Sequence, residues 1–325
     1  MKKRILQTLA GIVVVSAVIA AFTIGKPKRE VKAVEDTRAE VKIAYLPTTH
    51  SLALLAQAEL MNKSSNYRIT LVKYGTWPDL SDALNTGQVD GAVELTELSM
   101  KANENGIPIK AVALGHRDGN VIVTDKKIKT AKDLKGKSFA IPSKLSSHNL
   151  LLEQMLAKNG LSRKDINIIE LSPSEMPFAL VSKQIAGYCV AEPFGGKAIR
   201  ADVAKVLYES NDLWEDSICC ALVFHKNFLD GNKELADEVI MDYIDAGAYL
   251  DEHPEEALTI GENYLSVDKE VLEVSMKWIS FSNLEITEKA YEGLCSRLKE
   301  YDIMSNPPSY TQFVLENDAW FKGVA

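Results

Sequence analysis

Ala83-Leu-Asn-Thr-Gly-Gln-Val-Asp-Gly91, running on into Ala92-Val-Glu-Leu95, returns 96 residues later as Ala179-Leu-Val-Ser-Lys-Gln-Ile-Ala-Gly187, running on into Tyr188-Cys-Val-Ala191. Ala, Leu, Gln, a β-branched residue and Gly keep their places in both copies. A helix that ends and turns directly into a short buried strand has this pattern. A second echo lies at almost the same offset. Val41-Lys-Ile-Ala-Tyr-Leu-Pro47-Thr-Thr-His-Ser51 has its counterpart in Ser138-Phe-Ala-Ile-Pro142-Ser-Lys-Leu-Ser-Ser-His148, proline against proline 95 residues apart. One strand, polar turn, helix unit therefore occurs twice, as expected of two α/β lobes with related folds.

Working outward, residues 41–46, 68–72, 89–95 and 109–114 read as strands with helical patterns between them, the signature of parallel βαβ units. Past Lys233 the periodicity is almost purely helical, through "ELADEVIMDYIDAGAYL" and "KEVLEVSMKWI" to "TEKAYEGLCSRLKEY". The expected fold is α/β: two related α/β lobes and a helical C-terminal wrap, preceded by an export segment and linker at 1–39.

At 325 residues and 46% hydrophobic, the chain is long enough for two cores. A net charge of −8, with no basic stripe interleaved with aromatics, excludes a nucleic-acid partner. The N-terminus reads separately. Basic Met1-Lys-Lys-Arg4 precedes an apolar run from Ile5 to Gly25, closed by Lys26-Pro-Lys-Arg29. Its length suits a bilayer span, so the chain is expected to be extracytoplasmic, either tethered to the membrane or secreted after cleavage. Cys189, Cys219, Cys220 and Cys295 include no CxxC pair and no histidine at ligand spacing, and read as buried small hydrophobes.

In an open parallel sheet the loops beyond the strands' carboxyl ends face a crevice where ligands bind, and helix N-termini there attract polar groups. Thr48, Thr49 and Ser51 on one lobe, and Ser143, Ser146 and Ser147 on the other, are placed to line opposite walls. The plainer reading of each hydroxyl is helix capping. Glu94, Thr96 and Glu97 end one strand and Glu192 ends its counterpart, where Pro193 is expected to preset the first helical residue. Trp77, in a loop before Pro78, and Tyr188 offer aromatic faces, with core packing as the plainer role. His50 and His148, one per lobe, read as surface or hydrogen-bonding histidines rather than metal ligands. There is no GxSxG, GxxxxGK[ST] or HExxH, which favours binding without chemistry, and neither metal nor cofactor is expected.

The ordered set "VKIAYLPTTHSLAL", "ALNTGQVDGAVEL", "IKTAKDLKGKSFAIP", "ALVSKQIAGYCVAEPFGGKA" and "CCALVFHKNFL" resembles the type II solute-binding proteins of ABC importers. The group resembled includes binders of nitrate, bicarbonate, taurine, alkanesulfonates and thiamine-pyrimidine precursors. The resemblance spans residues 40–325 and implies a type II periplasmic-binding-protein fold with a ligand cleft between two lobes, residues 40–125 with 225–325 forming the first lobe and 126–224 the second. It implies a clamp that closes on a small solute and delivers it to a permease driven by an ATPase, working as a monomer. Carried over, the contacts fall on residues 48–51 and 94–97 in the first lobe, and on residues 143–147 and Glu192 in the second. Two departures stand out: no lipid-anchoring cysteine follows the apolar run, and the loops hold more carboxylates than fixed cations. Related pyrimidine synthases need a cysteine-rich motif of which only Cys219-Cys220 is present. An anchored sensor is the remaining alternative.

Overall fold

The computed structural model of the chain describes residues 36–61, 66–215 and 217–322. The apolar run 5–25 lies outside them, and no helix among the described residues is long and apolar enough to cross a membrane. The elements that follow belong to the compact unit Arg38–Ala325.

Ten strands build two five-stranded sheets. The first takes β1 (Ala39–Tyr45), β2 (Tyr67–Lys73), β3 (Gly91–Leu95), β4 (Ile109–Leu114) and β10 (Cys220–His225), in the order β2-β1-β3-β10-β4. The second takes β5 (Asn120–Asp125), β6 (Ser138–Ile141), β7 (Asn167–Glu170), β8 (Gly187–Ala191) and β9 (Ala204–Glu209), in the order β7-β6-β8-β5-β9. In each sheet the first three strands are parallel and the fourth runs antiparallel to both neighbours. The duplicated sequence is thus a duplicated topology. Even the register repeats: Ile43 faces Gly91 in one sheet and Phe139 faces Gly187 in the other, each 96 residues on.

Each sheet borrows its antiparallel strand across the lobe junction. The chain leaves β4, crosses at residues 115–119 and enters the second sheet as β5. It returns from β9 to the first sheet as β10. Both crossings fall one strand earlier than the sequence boundaries at 125 and 224, because an apolar run does not say which sheet it pairs with. The borrowed and central strands are apolar on both faces, as strands covered by helices must be. Val121, Val123, Tyr188 and Val190 pack in a core of the second lobe. Ile122 and Cys189, on the opposite face, join the larger core beneath the first sheet and the C-terminal helices.

The helices that position the site start at the sheets' carboxyl edges: α1 (Leu52–Leu60), α2 (Trp77–Asn85) and α3 (Thr96–Glu104) in the first lobe, α4 (Ser147–Lys158), α5 (Met176–Val181) and α6 (Phe194–Arg200) in the second. The wrap follows as α7 (Lys233–Glu252), α8 (Pro254–Leu265), α9 (Lys269–Ser275) and α10 (Glu288–Glu300). It touches both lobes, since Tyr243 of α7 donates to Leu114 O (3.1 Å) and Ser275 of α9 to Glu192 (2.8 Å).

Candidate solute-binding site

The two crossings meet at the junction of the lobes. Gly115 N donates to Cys220 O (2.7 Å), and a Cβ at Gly115 would sit 3.1 Å from both Cys220 Cβ and His50 O, so glycine permits the approach. This brings His116 and Asn120, on the first crossing, against Cys219 and Cys220, on the second. The β1–α1 turn enters from the first lobe and closes the gap. Thr49 donates through both N (2.8 Å) and Oγ1 (3.1 Å) to Glu192 O of the second lobe. His50 Nε2 lies 3.2 Å from Gly119 O.

His50 sits at the centre. Since a carbonyl only accepts, Nε2 carries the proton and Nδ1 is left with a bare lone pair. That lone pair faces two thiols, Cys220 Sγ at 3.5 Å and Cys219 Sγ at 3.8 Å, themselves 3.8 Å apart and free. The His116 ring stacks on His50 at 3.5 Å between centroids, and the His148 ring lies 6.4 Å from it. All five residues are 0–1% exposed.

Around them lies a set of buried polar atoms without hydrogen-bond partners: both ring nitrogens of His116 and of His148, both carboxyl oxygens of Glu97, Thr48 Oγ1, Thr96 Oγ1, Asn120 Nδ2, Ser147 Oγ and Glu192 Oε1. Burying such groups unpaired costs about 1–3 kcal/mol each. A concentration of them at one junction marks a place where something else supplies the partners.

Burial sets the protonation states. It holds His116 down to about 4, helped by the neighbouring His50, and His148 likewise to about 4, so both imidazoles are neutral near pH 7. Burial also pushes the Glu97 carboxyl well above the usual range, with Cys219 adding to the push. Burial opposes a thiolate at Cys219. The Cys220 thiol and the imidazoles of His148, His116 and His50 outweigh it and hold Cys219 well below an ordinary thiol. Cys220 is driven the other way, by burial and then by Cys219. No lysine or arginine is fully buried among the described residues.

Several sequence expectations find other places. His50 is a hydrogen-bonding histidine but, like His148, is buried, and Cys219 and Cys220, buried members of the main core as expected, also lie against the His50 imidazole. Trp77 is the first residue of α2 and a buried member of the main core, not a loop platform, because Thr76 caps the helix one residue earlier than Pro78 suggested. Tyr188 gives its hydroxyl to Phe194 O (2.8 Å) inside the second core. Glu94 is bonded by Ser81 and Ser99 of its own lobe, and burial pushes its carboxyl up to about 7. Ser146 caps α4, accepting from Asn149 N (3.3 Å), and the half-buried Ser143 accepts from Leu145 N (3.1 Å), so both serve the turn. Ser51 donates to Leu46 O (3.1 Å). Pro193 is the cap of α6, which starts at Phe194. Glu192 Oε2 accepts from Gly196 N (2.8 Å) at that helix start.

His116, Asn120, Cys219 and Cys220 carry no local signal. Nearly a hundred residues of chain separate Asn120 from Cys219, and only the two-lobed topology joins the crossings.

The sequence profile of the NMT1-like family matches residues 35–262. A zinc-bound ligand-binding component of an ABC-type import system from Staphylococcus aureus superposes with a TM-score of 0.83 at 35% identity, over 89% of this chain and 99% of that one. The alkanesulfonate-binding protein SsuA from Xanthomonas axonopodis, bound to MOPS, superposes at 0.74 with 21% identity, over 86% of this chain and 99% of that one. Among curated relatives, the nitrate/nitrite binding protein NrtA of Nostoc is 24% identical over 67% of this chain and 55% of its own length. The nitrate import ATP-binding protein NrtC of Synechocystis is 26% identical over 53% of this chain and 29% of its own. The chain spans from under a third to about half of these curated relatives. The duplicated lobes, their shared edge and the matched residues together make this chain a member of the NMT1-like family with the two-lobed solute-binding fold.

Proposed function

We propose that the chain is the extracytoplasmic solute-binding component of an ABC importer, closing its lobes on a small solute at the crossing segments and presenting the closed form to a permease and its ATPase. One observation carries this reading. The orphaned polar atoms lie at the junction of two lobes, on both walls and both crossings, at 0–1% exposure for its histidines and cysteines. A solute reaches such a site only when the lobes part and is held when they meet, which is how a hinged clamp binds. Thr49 and Glu192, on opposite lobes, are the latch. The site is complete within one chain, so a monomer suffices. The run 5–25 would tether it. The reading accords with what the relatives' names say of those proteins: capture of nitrate, of a sulfonate, or a bound zinc within an import system.

A thiolate beside an imidazole is also the start of a covalent catalyst. The closed, fully buried setting and the company of import components favour capture over catalysis.

The test is a thermal-shift screen of the full chain against nitrate, bicarbonate, taurine, alkanesulfonates, thiamine-pyrimidine precursors and divalent metals. Saturation at a hundred times the dissociation constant adds about 2.7 kcal/mol. A shift with one class is expected, and for an anionic or heterocyclic solute it should be lost when Thr48→Val and Ser147→Ala are combined. No shift with any class, or an anionic or heterocyclic solute's shift that the double variant leaves untouched, would overturn capture at the junction.

A further inference from the structure

The geometry points to a tetrahedral, thiophilic divalent cation of the zinc class as the cargo, held by His50, His116, Cys219 and Cys220. This rests on the solute-capture reading and names its substrate. The ligating atoms of these four residues lie within 4.8 Å of one another. A zinc ion with bonds of about 2.3 Å to sulfur and about 2.05 Å to nitrogen, at tetrahedral angles, sets its sulfurs about 3.8 Å apart and each sulfur about 3.5 Å from a nitrogen. The protein has 3.8 Å between the sulfurs, and 3.5 and 3.8 Å from them to His50 Nδ1. The spacing admits a ligand sphere once the His116 ring, stacked on His50 at 3.5 Å between centroids, turns a nitrogen toward the thiols.

Three further features agree. The Nε2 proton of His50, given to Gly119 O, fixes the tautomer that leaves Nδ1 bare, the arrangement by which ligating histidines are usually held. Both His116 nitrogens are buried without a partner, and a metal bond from one of them relieves that. Two thiolates and a dication sum to zero, the form least penalised where no lysine or arginine among the described residues is fully buried. An anion would meet none of these advantages. Two sulfurs with two nitrogens in tetrahedral array select zinc over magnesium or calcium, which take oxygen ligands.

His148 gives the loaded site a contact on the second lobe. It stands in the first turn of α4, both ring nitrogens unpartnered, 6.4 Å from the His50 ring. The four ligands come from the first lobe and the crossings and fill the tetrahedral sphere. The metal therefore binds there first, and His148 is the second-lobe group that packs against the ligated cluster, not the ion, on closure.

The full chain, stripped with chelator under reducing conditions, is titrated with Co(II) and then with Zn(II) against a chromophoric chelator. The expected result is one equivalent, a thiolate-to-cobalt charge-transfer band and tetrahedral d–d bands. Cys219→Ser should lose part of the charge-transfer intensity and weaken zinc at least about 100-fold. Its melting temperature in chelator, compared with that of the parent, shows whether it still folds. A His116→Asn variant, which leaves both thiols, should keep the charge-transfer band while losing affinity. Solution scattering should show compaction on adding zinc to the parent and none in His148→Ala. Binding without a thiolate band, or zinc affinity indifferent to Cys219 and His116, would overturn the site. Zinc bound without any compaction would make it a resident structural ion and overturn the cargo assignment. If no metal binds but an anionic or heterocyclic solute stabilises the chain, the cargo assignment fails and capture stands. If nothing stabilises it, both fail.

Discussion

The two lobes present the same edge and use it differently. In the first, the turn after β1 makes no side-chain cap: Thr48 Oγ1 has no partner, and Thr49 and His50 reach across to the second lobe. In the second, the turn after β6 serves its own helix, with Ser146 capping α4 in the ordinary way. The strand-tip carboxyls differ likewise. Glu94 is bonded within its own lobe by two serines, while Glu192 ties α6 to α9 of the wrap. Duplication supplies the frame, and divergence of the two edges turns one toward the other lobe and the other toward its own helix.

The comparison can be broken most severely at Glu192. Burial raises its carboxyl to about 7, from an ordinary 4.5. The fold therefore favours the protonated form. That contribution is whole below pH 4.5 and is lost as pH rises through about 7, to the extent of roughly 3 kcal/mol. Glu192→Gln keeps an acceptor for Gly196 and Ser275 and has no proton to lose. Its stability relative to the parent should climb between pH 4.5 and 7 in urea titrations. A difference that stays flat with pH would show that the second edge does not depend on a neutral Glu192.

At the opposite edge, Glu94→Ala strands the hydroxyls of Ser81 and Ser99 and should cost about 2–3 kcal/mol at any pH where the carboxyl is protonated. A smaller loss would mean those hydroxyls find other partners. Ser146→Ala removes a helix cap and should cost about 1 kcal/mol, lowering the melting temperature by a few degrees, with solute affinity unchanged. Lost affinity there would make the second turn a ligand wall after all. Thr48→Val should leave stability within about 0.5 kcal/mol, because its hydroxyl has no bond to lose, while weakening solute binding. A large stability loss from Thr48→Val, or a large affinity loss from Ser146→Ala, would erase the difference between the turns.

The histidines set an opposing slope. His116 and His148, held to about 4, are favoured neutral by the fold, and their contribution is lost as pH falls from 6.5 through 4. Between 4.5 and 6.5 they and the two strand-tip carboxyls act against each other. Removing Glu192 alone tips the balance, which makes its pH profile diagnostic.

Much of the fold was legible because duplication writes itself twice. The Gly91 and Gly187 echoes fall on equivalent strands in identical register, and the first lobe's strands form close to where their apolar runs lie. Which strand crosses between sheets was not legible, since β5 and β10 are both short, largely apolar runs that would suit either sheet. The candidate site was half legible. Turn hydroxyls and strand-tip carboxyls announce themselves through capping residues and proline. Trp77 and Tyr188 did not follow their apparent loop and edge positions, because a cap at Thr76 and a core behind β8 absorb them. Cys219 and Cys220 were the hardest. Adjacent thiols with no histidine at ligand spacing look inert, and only the meeting of the crossings puts His50 and His116 beside them.

The most direct measurement is an anomalous difference map at the zinc absorption edge from crystals of the zinc-loaded chain. The expected result is one peak at the lobe junction, about 2.0–2.3 Å from His50 Nδ1, a His116 ring nitrogen and the sulfurs of Cys219 and Cys220. A peak elsewhere on the surface, or a junction filled by another solute with both thiols unligated, would contradict it.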